Sequence, residues 1–143
     1  MLINQISVFI ENRPGRLYAI TKTLSENDID IRALSLADTT NFGILRLIVN
    51  DPVKADKVLR ENGFTVSTTK VLAVQVEDKP GGLHSILEKL YEQSIGVEYA
   101  YAFITRKADG AFVILRVEDN EKAARYLKSC GVKIIEDDEI YSL

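Results

Sequence analysis

The chain has 143 residues, 46% hydrophobic and 27% charged, which is the profile of a globular protein and excludes a disordered or fibrous one. Its net charge of -3 and pI near 5.2 exclude nucleic acid as the main partner, because phosphate binding needs a basic face. One cysteine, Cys130, precludes an internal disulfide, and no run approaches the roughly 18 apolar residues of a membrane span, so a cytoplasmic protein with no membrane partner is expected.

Alternating apolar residues predict a strand over 5–10, a charged turn over 11–14 and a helix over 15–26. Leu17, Ile20 and Leu24 have the spacing of one buried helical stripe. A strand over 29–37, a hairpin around 38–43 and a strand over 44–49 follow. Asp51 then caps a helix over 52–61 that opens on Pro52 and stops at Asn62-Gly63, before a closing strand from Phe64.

These signals then return. Ile6-Ser-Val-Phe-Ile-Glu-Asn-Arg-Pro-Gly-Arg-Leu17 recurs as Leu72-Ala-Val-Gln-Val-Glu-Asp-Lys-Pro-Gly-Gly-Leu83, an offset of 66 residues (72 − 6). After the hairpin the offset is 68 (119 − 51), matching Asp51 with Asp119 and Gly63 with Gly131. A two-residue insertion in a loop is what a structural repeat tolerates. The expected domains are 1–69 and 70–143, each ordered βαββαβ. Right-handed crossovers make each an α+β, ferredoxin-like antiparallel sheet with both helices on one face. Units this small bury little surface, so the halves are expected to pack on each other or on a second chain. Ile140-Tyr-Ser-Leu143 is read as an extension of the last strand that pairs with a neighbour's edge.

The run Glu11-Asn12-Arg13-Pro14-Gly15-Arg16-Leu17, closing a strand and opening a helix, resembles the ligand loop of ACT domains, small regulatory modules of amino-acid metabolism. The resemblance covers essentially the whole chain as two consecutive ACT domains, and it implies a free amino acid as ligand. Helix-start amides of Gly15, Arg16 and Leu17, and of Gly81, Gly82 and Leu83, are candidate donors to its carboxylate, with Pro14 and Pro80 fixing the turns. Arg13 belongs to the same loop. The loop is similar to that of phosphoglycerate dehydrogenase ACT domains, whose turn asparagine contacts the ligand; that residue is Asn12 here. A polar residue at the start of the next strand contributes there, and Asp30 holds that place as an acceptor for an ammonium. The second repeat has Asp78 and Gly96 instead, so either its site binds differently or one repeat supplies the loop and the other a wall. Tyr99 and Tyr101, on one strand face, are candidates for such a wall and lean toward a flat side chain.

Three readings follow. One is an amino-acid sensor, a homodimer without a cofactor or a catalytic domain, controlling a separate biosynthetic enzyme. The second is a ligand-free regulatory or dimerisation subunit. The third, a small enzyme, lacks any nucleophile–base set. One histidine, His84, and one cysteine cannot make a zinc site, and Cys130 reads as a buried thiol. The run 136–139 of four carboxylates reads as a solvated loop or edge. Gly110-Ala-Phe-Val113 faintly resembles an RNA-recognition strand but carries Asp109 where a basic residue belongs.

Overall fold

The structure, a computed structural model, describes residues 2–38, 41–103 and 111–142. The chain divides into two compact units, Asn4–Thr69 and Lys70–Leu143, the second joined by Met1–Ile3.

The first unit contains β1 (Ile3–Glu11), α1 (Arg16–Glu26), β2 (Ile31–Asp38), β3 (Phe42–Val49), α2 (Pro52–Glu61) and the beginning of β4 (Thr65–Val76). Its strand order is β2-β3-β1-β4. β3 runs antiparallel to both neighbours, and Gly43 faces Ile10 on one side and Asp38 on the other. The end of β1, the end of β2 and the start of β3 therefore meet at one end of the sheet. Period-two alternation sends Ile6, Val8 and Ile10 of β1 and Leu45, Leu47 and Val49 of β3 into one core with Ile20, Leu24 and Leu59 of the helices. The predicted stripe on α1 holds only in part: Ile20 and Leu24 are buried, but Leu17 is 37% exposed. It sits in the first turn, beside the loop.

The second unit adds α3 (Gly82–Glu92), β5 (Val97–Ala102), β6 (Ala111–Val117), α4 (Asn120–Ser129) and α5 (Asp137–Tyr141). β6 pairs antiparallel with β4 and β5. The fourth strand shrinks to a single bridge between Val74 and Ile134, flanked by bonds from Gln75 N–H to the Lys133 carbonyl and from Ile135 N–H to the Ala73 carbonyl. Its core mirrors the first, with Leu72, Val74 and Val76 against Ile86, Leu90, Leu115 and Leu127. Both units are thus antiparallel sheets with helices on one face.

The C-terminus corrects the sequence reading. Residues 140–142 do not extend a strand: Ile140 and Tyr141 end α5, and Ile140 is buried. Asp137, Asp138 and Glu139 occupy its first turn, where carboxylates complement the helix dipole. The acidic run is a helix start, neither loop nor edge.

The repeat extends to backbone conformations that side-chain identity hides. Gly15 and Gly81 both precede their helices in the left-handed region, at φ 88° and 85°. Asp28 and Ser94, also 66 apart (94 − 28), share φ values of 58° and 55° despite different residue types. β2 and β5 each have a register irregularity at the same place, Ile31/Ala33 and Val97/Tyr99. The second helix of each unit is capped alike. The Asp51 carboxylate accepts from Lys54 N–H at 3.1 Å and the Asp119 carboxylate from Lys122 N–H at 3.0 Å. Replacing either aspartate with alanine should cost about 1 kcal/mol, and with asparagine far less, in thermal or urea unfolding. Equal losses for alanine and asparagine would mean that the cap bond is not the cause.

Candidate functional site

At the sheet end where β1, β2 and β3 converge, the loop from β1 into α1 closes over a cavity of about 210 Å³. This is room for roughly seven waters at liquid density, or for one small solute. Pro14 and the left-handed Gly15 turn the chain sharply into α1, so the helix start opens beside the cavity. The loop is tied to the hairpin by a bond of 3.0 Å from Asn12 N–H to the Asn41 carbonyl. Asn12, Arg13, Arg16 and Leu17 all line the cavity, joined by Glu11, Leu36 and Asp38.

The charges there are mixed. Arg13 pairs with Glu11 at 3.2 Å, with both side chains more than half exposed. The Arg16 guanidinium lies over the Phe64 ring, 4.9 Å from its centroid, and no carboxylate among the described residues pairs with it. Its Nε is buried without a hydrogen-bond partner. Asp38 is exposed and has no salt bridge among the described residues. One small cavity thus offers cations, carboxylates and an amide side chain together.

The structure does not bring Asp30 to this cavity within its own unit. Asp30 precedes β2, whereas the loop meets the end of that strand. It lines a different cavity of about 450 Å³ with Thr21, Ser25 and Asp28 and pairs with Arg32; its carbonyl accepts from Asn50 N–H, and its N–H donates to the Asn50 side-chain Oδ1. The acid placed beside the loop is Asp38, which sequence reasoning missed. The signal was available: a sheet order with β3 between β1 and β2 dictates that strand ends, not starts, meet the loop.

In the second unit, Pro80, Gly81 and Gly82 line a larger cavity of about 640 Å³ with Lys79, Lys89 and Lys133. Lys79, paired with Glu77 at 2.6 Å, holds that carboxyl below its ordinary range. Asp78 is exposed outside this lining, and Leu83 is 42% exposed in the first turn of α3. Tyr99 and Tyr101 do share a strand face, their rings stacked 6.4 Å apart, but neither lines that cavity.

Cys130 is exposed rather than buried, because it ends α4 on the rim of the second cavity. His84 is an exposed residue of α3. No group of three His, Cys, Asp or Glu among the described residues is placed to hold a metal. Gly110 of the RNA-like motif lies outside the described residues. Its Phe112 is buried against Phe103, edge to face at 6.0 Å, so that ring offers no stacking platform. Among the described residues no helix is long and apolar enough to cross a membrane.

Comparison with known proteins fits this architecture. The family model described as ACT domain pair matches residues 1–143. The structure is similar to that of protein BT0572 from Bacteroides thetaiotaomicron, with 36% identity, a TM-score of 0.93, and coverage of 100% of this chain and 98% of that one. It also resembles the regulatory subunit of aspartate kinase from Thermus thermophilus at 15% identity and a TM-score of 0.61, covering 88% of this chain and 90% of that one, a likeness of fold. No curated protein matches the sequence. Two βαββαβ units that repeat their glycine turns, their caps and their register, matched end to end by one family model, place the chain in the ACT domain pair family.

Proposed function

We propose that the protein binds a free amino acid in the cavity of its first unit and acts as a regulator, not as a catalyst, of a separate enzyme of amino-acid metabolism. The observation that carries this reading is the mixed lining of that cavity. An α-amino acid brings a carboxylate and an ammonium a few ångströms apart, and its two charges need partners of opposite sign. The start of α1 and the guanidinium of Arg16 suit the carboxylate, while Asp38 and the side-chain carbonyl of Asn12 suit the ammonium. Leu17 and Leu36 supply apolar wall for a side chain. The regulatory subunit of aspartate kinase from Thermus thermophilus has a similar fold, a precedent for regulation by a separate polypeptide.

The exposed edge strand β2 supports the regulatory part. β2 ends the strand order, and Leu34 and Leu36 on it are 44% and 47% exposed. A homodimer formed along that edge would cover them. Ligand seated against Leu36 would then bias the geometry of the interface, which is what regulation requires.

Thermal unfolding against each of the twenty amino acids tests the binding. A ligand at a hundred times its Kd should add about 2.7 kcal/mol of stability and raise Tm. If none of the twenty raises it, the sensor reading fails and the ligand-free subunit takes its place.

A further inference from the structure

The repeat alignment exposes an exchange that sets the second cavity apart. Arg16 and Phe64, stacked in the first unit, correspond at offsets of 66 and 68 to Gly82 and Val132. Neither replacement can fill the space that the Arg–Phe pair fills. Gly82 cannot carry any side chain there, since a Cβ would lie 2.0 Å from the Glu77 carbonyl oxygen. What remains is the 640 Å³ cavity, lined by Val132, Ser85 and the three lysines 79, 89 and 133. The positions matching Lys89 and Lys133 in the first unit are Thr23 and Thr65, so two of the three cations belong to this unit alone.

Three ammonium groups around one cavity, on a chain of net charge -3, form a local reversal of sign. Among the described residues only one carboxylate, Glu77, shares the lining. Lys89 donates to the hydroxyl and carbonyl of Ser85 at 2.9 and 3.3 Å, and its charge adds to that of Lys79 in lowering the pKa of Glu77. The pairs Lys79–Glu77 and Lys133–Glu139 are exposed, so an incoming anion replaces them at little cost. Lysines are compact point charges with freely turning donors, suited to a phosphoryl group, whereas the fork that grips a carboxylate on two atoms belongs to arginine, absent among the described residues of this lining.

We infer that the second unit binds a small phosphorylated anion in this cavity, held by Lys79, Lys89 and Lys133 with the Ser85 hydroxyl. The site is separate from that of the amino acid and stands whether or not the first cavity binds one. A protein with both would read two metabolites of different chemistry.

Pyrophosphate titrated into the full chain by calorimetry, with amide NMR shifts followed, tests this. Binding should saturate, with shifts in residues 79–89 and 130–133, and weaken about tenfold in Lys89→Gln and in Lys133→Gln. Val132→Phe, which restores the bulk found at Phe64 and removes no charge, should weaken it at least as much. Arg16→Met should leave pyrophosphate affinity unchanged, which separates this site from the first. Absence of saturable binding, binding that survives all three second-unit substitutions, or binding of succinate without pyrophosphate would each overturn the assignment.

Discussion

Gly82→Ala should lower the stability of the second unit by about 3 kcal/mol, at the upper end of what overpacking costs, with a fall in Tm of roughly 12 °C or more. The cause is steric: the added methyl would sit 2.0 Å from the Glu77 carbonyl oxygen and 3.3 Å from a Val76 methyl. Backbone, not a yielding side-chain tip, stands in the way, so the loop itself must move. Its neighbour Gly81 makes the opposite demand. A Cβ there meets nothing within 4 Å, but φ is +85°. Gly81→Ala should cost only about 1–2 kcal/mol, the price of the left-handed region, and Gly81→Asn less. Gly82→Asn should do no better than Gly82→Ala. Thermal unfolding of the four variants decides it: if asparagine recovers stability at position 82, conformation rather than collision governs that glycine.

That pair of glycines shows what the sequence could and could not reveal. The Pro-Gly turns, the helix starts and the capping aspartates are local devices, and Asp51 and Asp119 cap as their spacing implies. The doubled register made the two-unit fold legible, because alternation at period two and spacing at i, i+3, i+7 depend on neighbours alone. Where the reading failed, a longer-range term decided. Residues 140–143 read in sequence as an extension of the last strand, yet the acidic turn at 137–139 and burial of Ile140 make α5. Gly82 looked like half of a Pro-Gly-Gly turn, and only its closeness to Glu77 reveals a packing constraint.

The candidate site was legible directly in the loop, and in its partner only through the order of the strands. Asn12, Arg13, Arg16 and Leu17 are consecutive or nearly so, and one turn carries them all to one cavity. Asp38 reaches that cavity through pairing with Gly43, a contact set by strand order. Asp30, the acid chosen from the sequence, lies at the opposite end of its own strand from the loop of the same unit. The cavity of the second unit was not legible from local patterns, since positions 82 and 132, where bulk is lost relative to the first unit, line one cavity only after folding.

Asp38→Asn should weaken amino-acid binding roughly tenfold, the loss expected when a charge-assisted hydrogen bond of about 1.5–3 kcal/mol becomes a neutral one of about 0.5–1.5 kcal/mol. Arg16→Met, which keeps an apolar stem over Phe64 but removes the cation, should cost a similar factor through the carboxylate. Both are read by calorimetry with whichever amino acid raises Tm most. Asp30→Asn makes the comparison informative. Within one unit Asp30 lies with Thr21 and Asp28, so a site complete in itself predicts no loss of affinity. Antiparallel pairing of β2 with the β2 of a second copy would instead set the start of one strand beside the end of the other. Asp30 of that copy would then approach the cavity beside Asp38, and its substitution would weaken binding in the dimer and not in dilute monomer. Loss with Asp38→Asn alone favours a self-contained site, and loss with both favours one completed across the edge. If neither carboxylate matters, the ammonium is held elsewhere and the proposed orientation of the ligand is wrong.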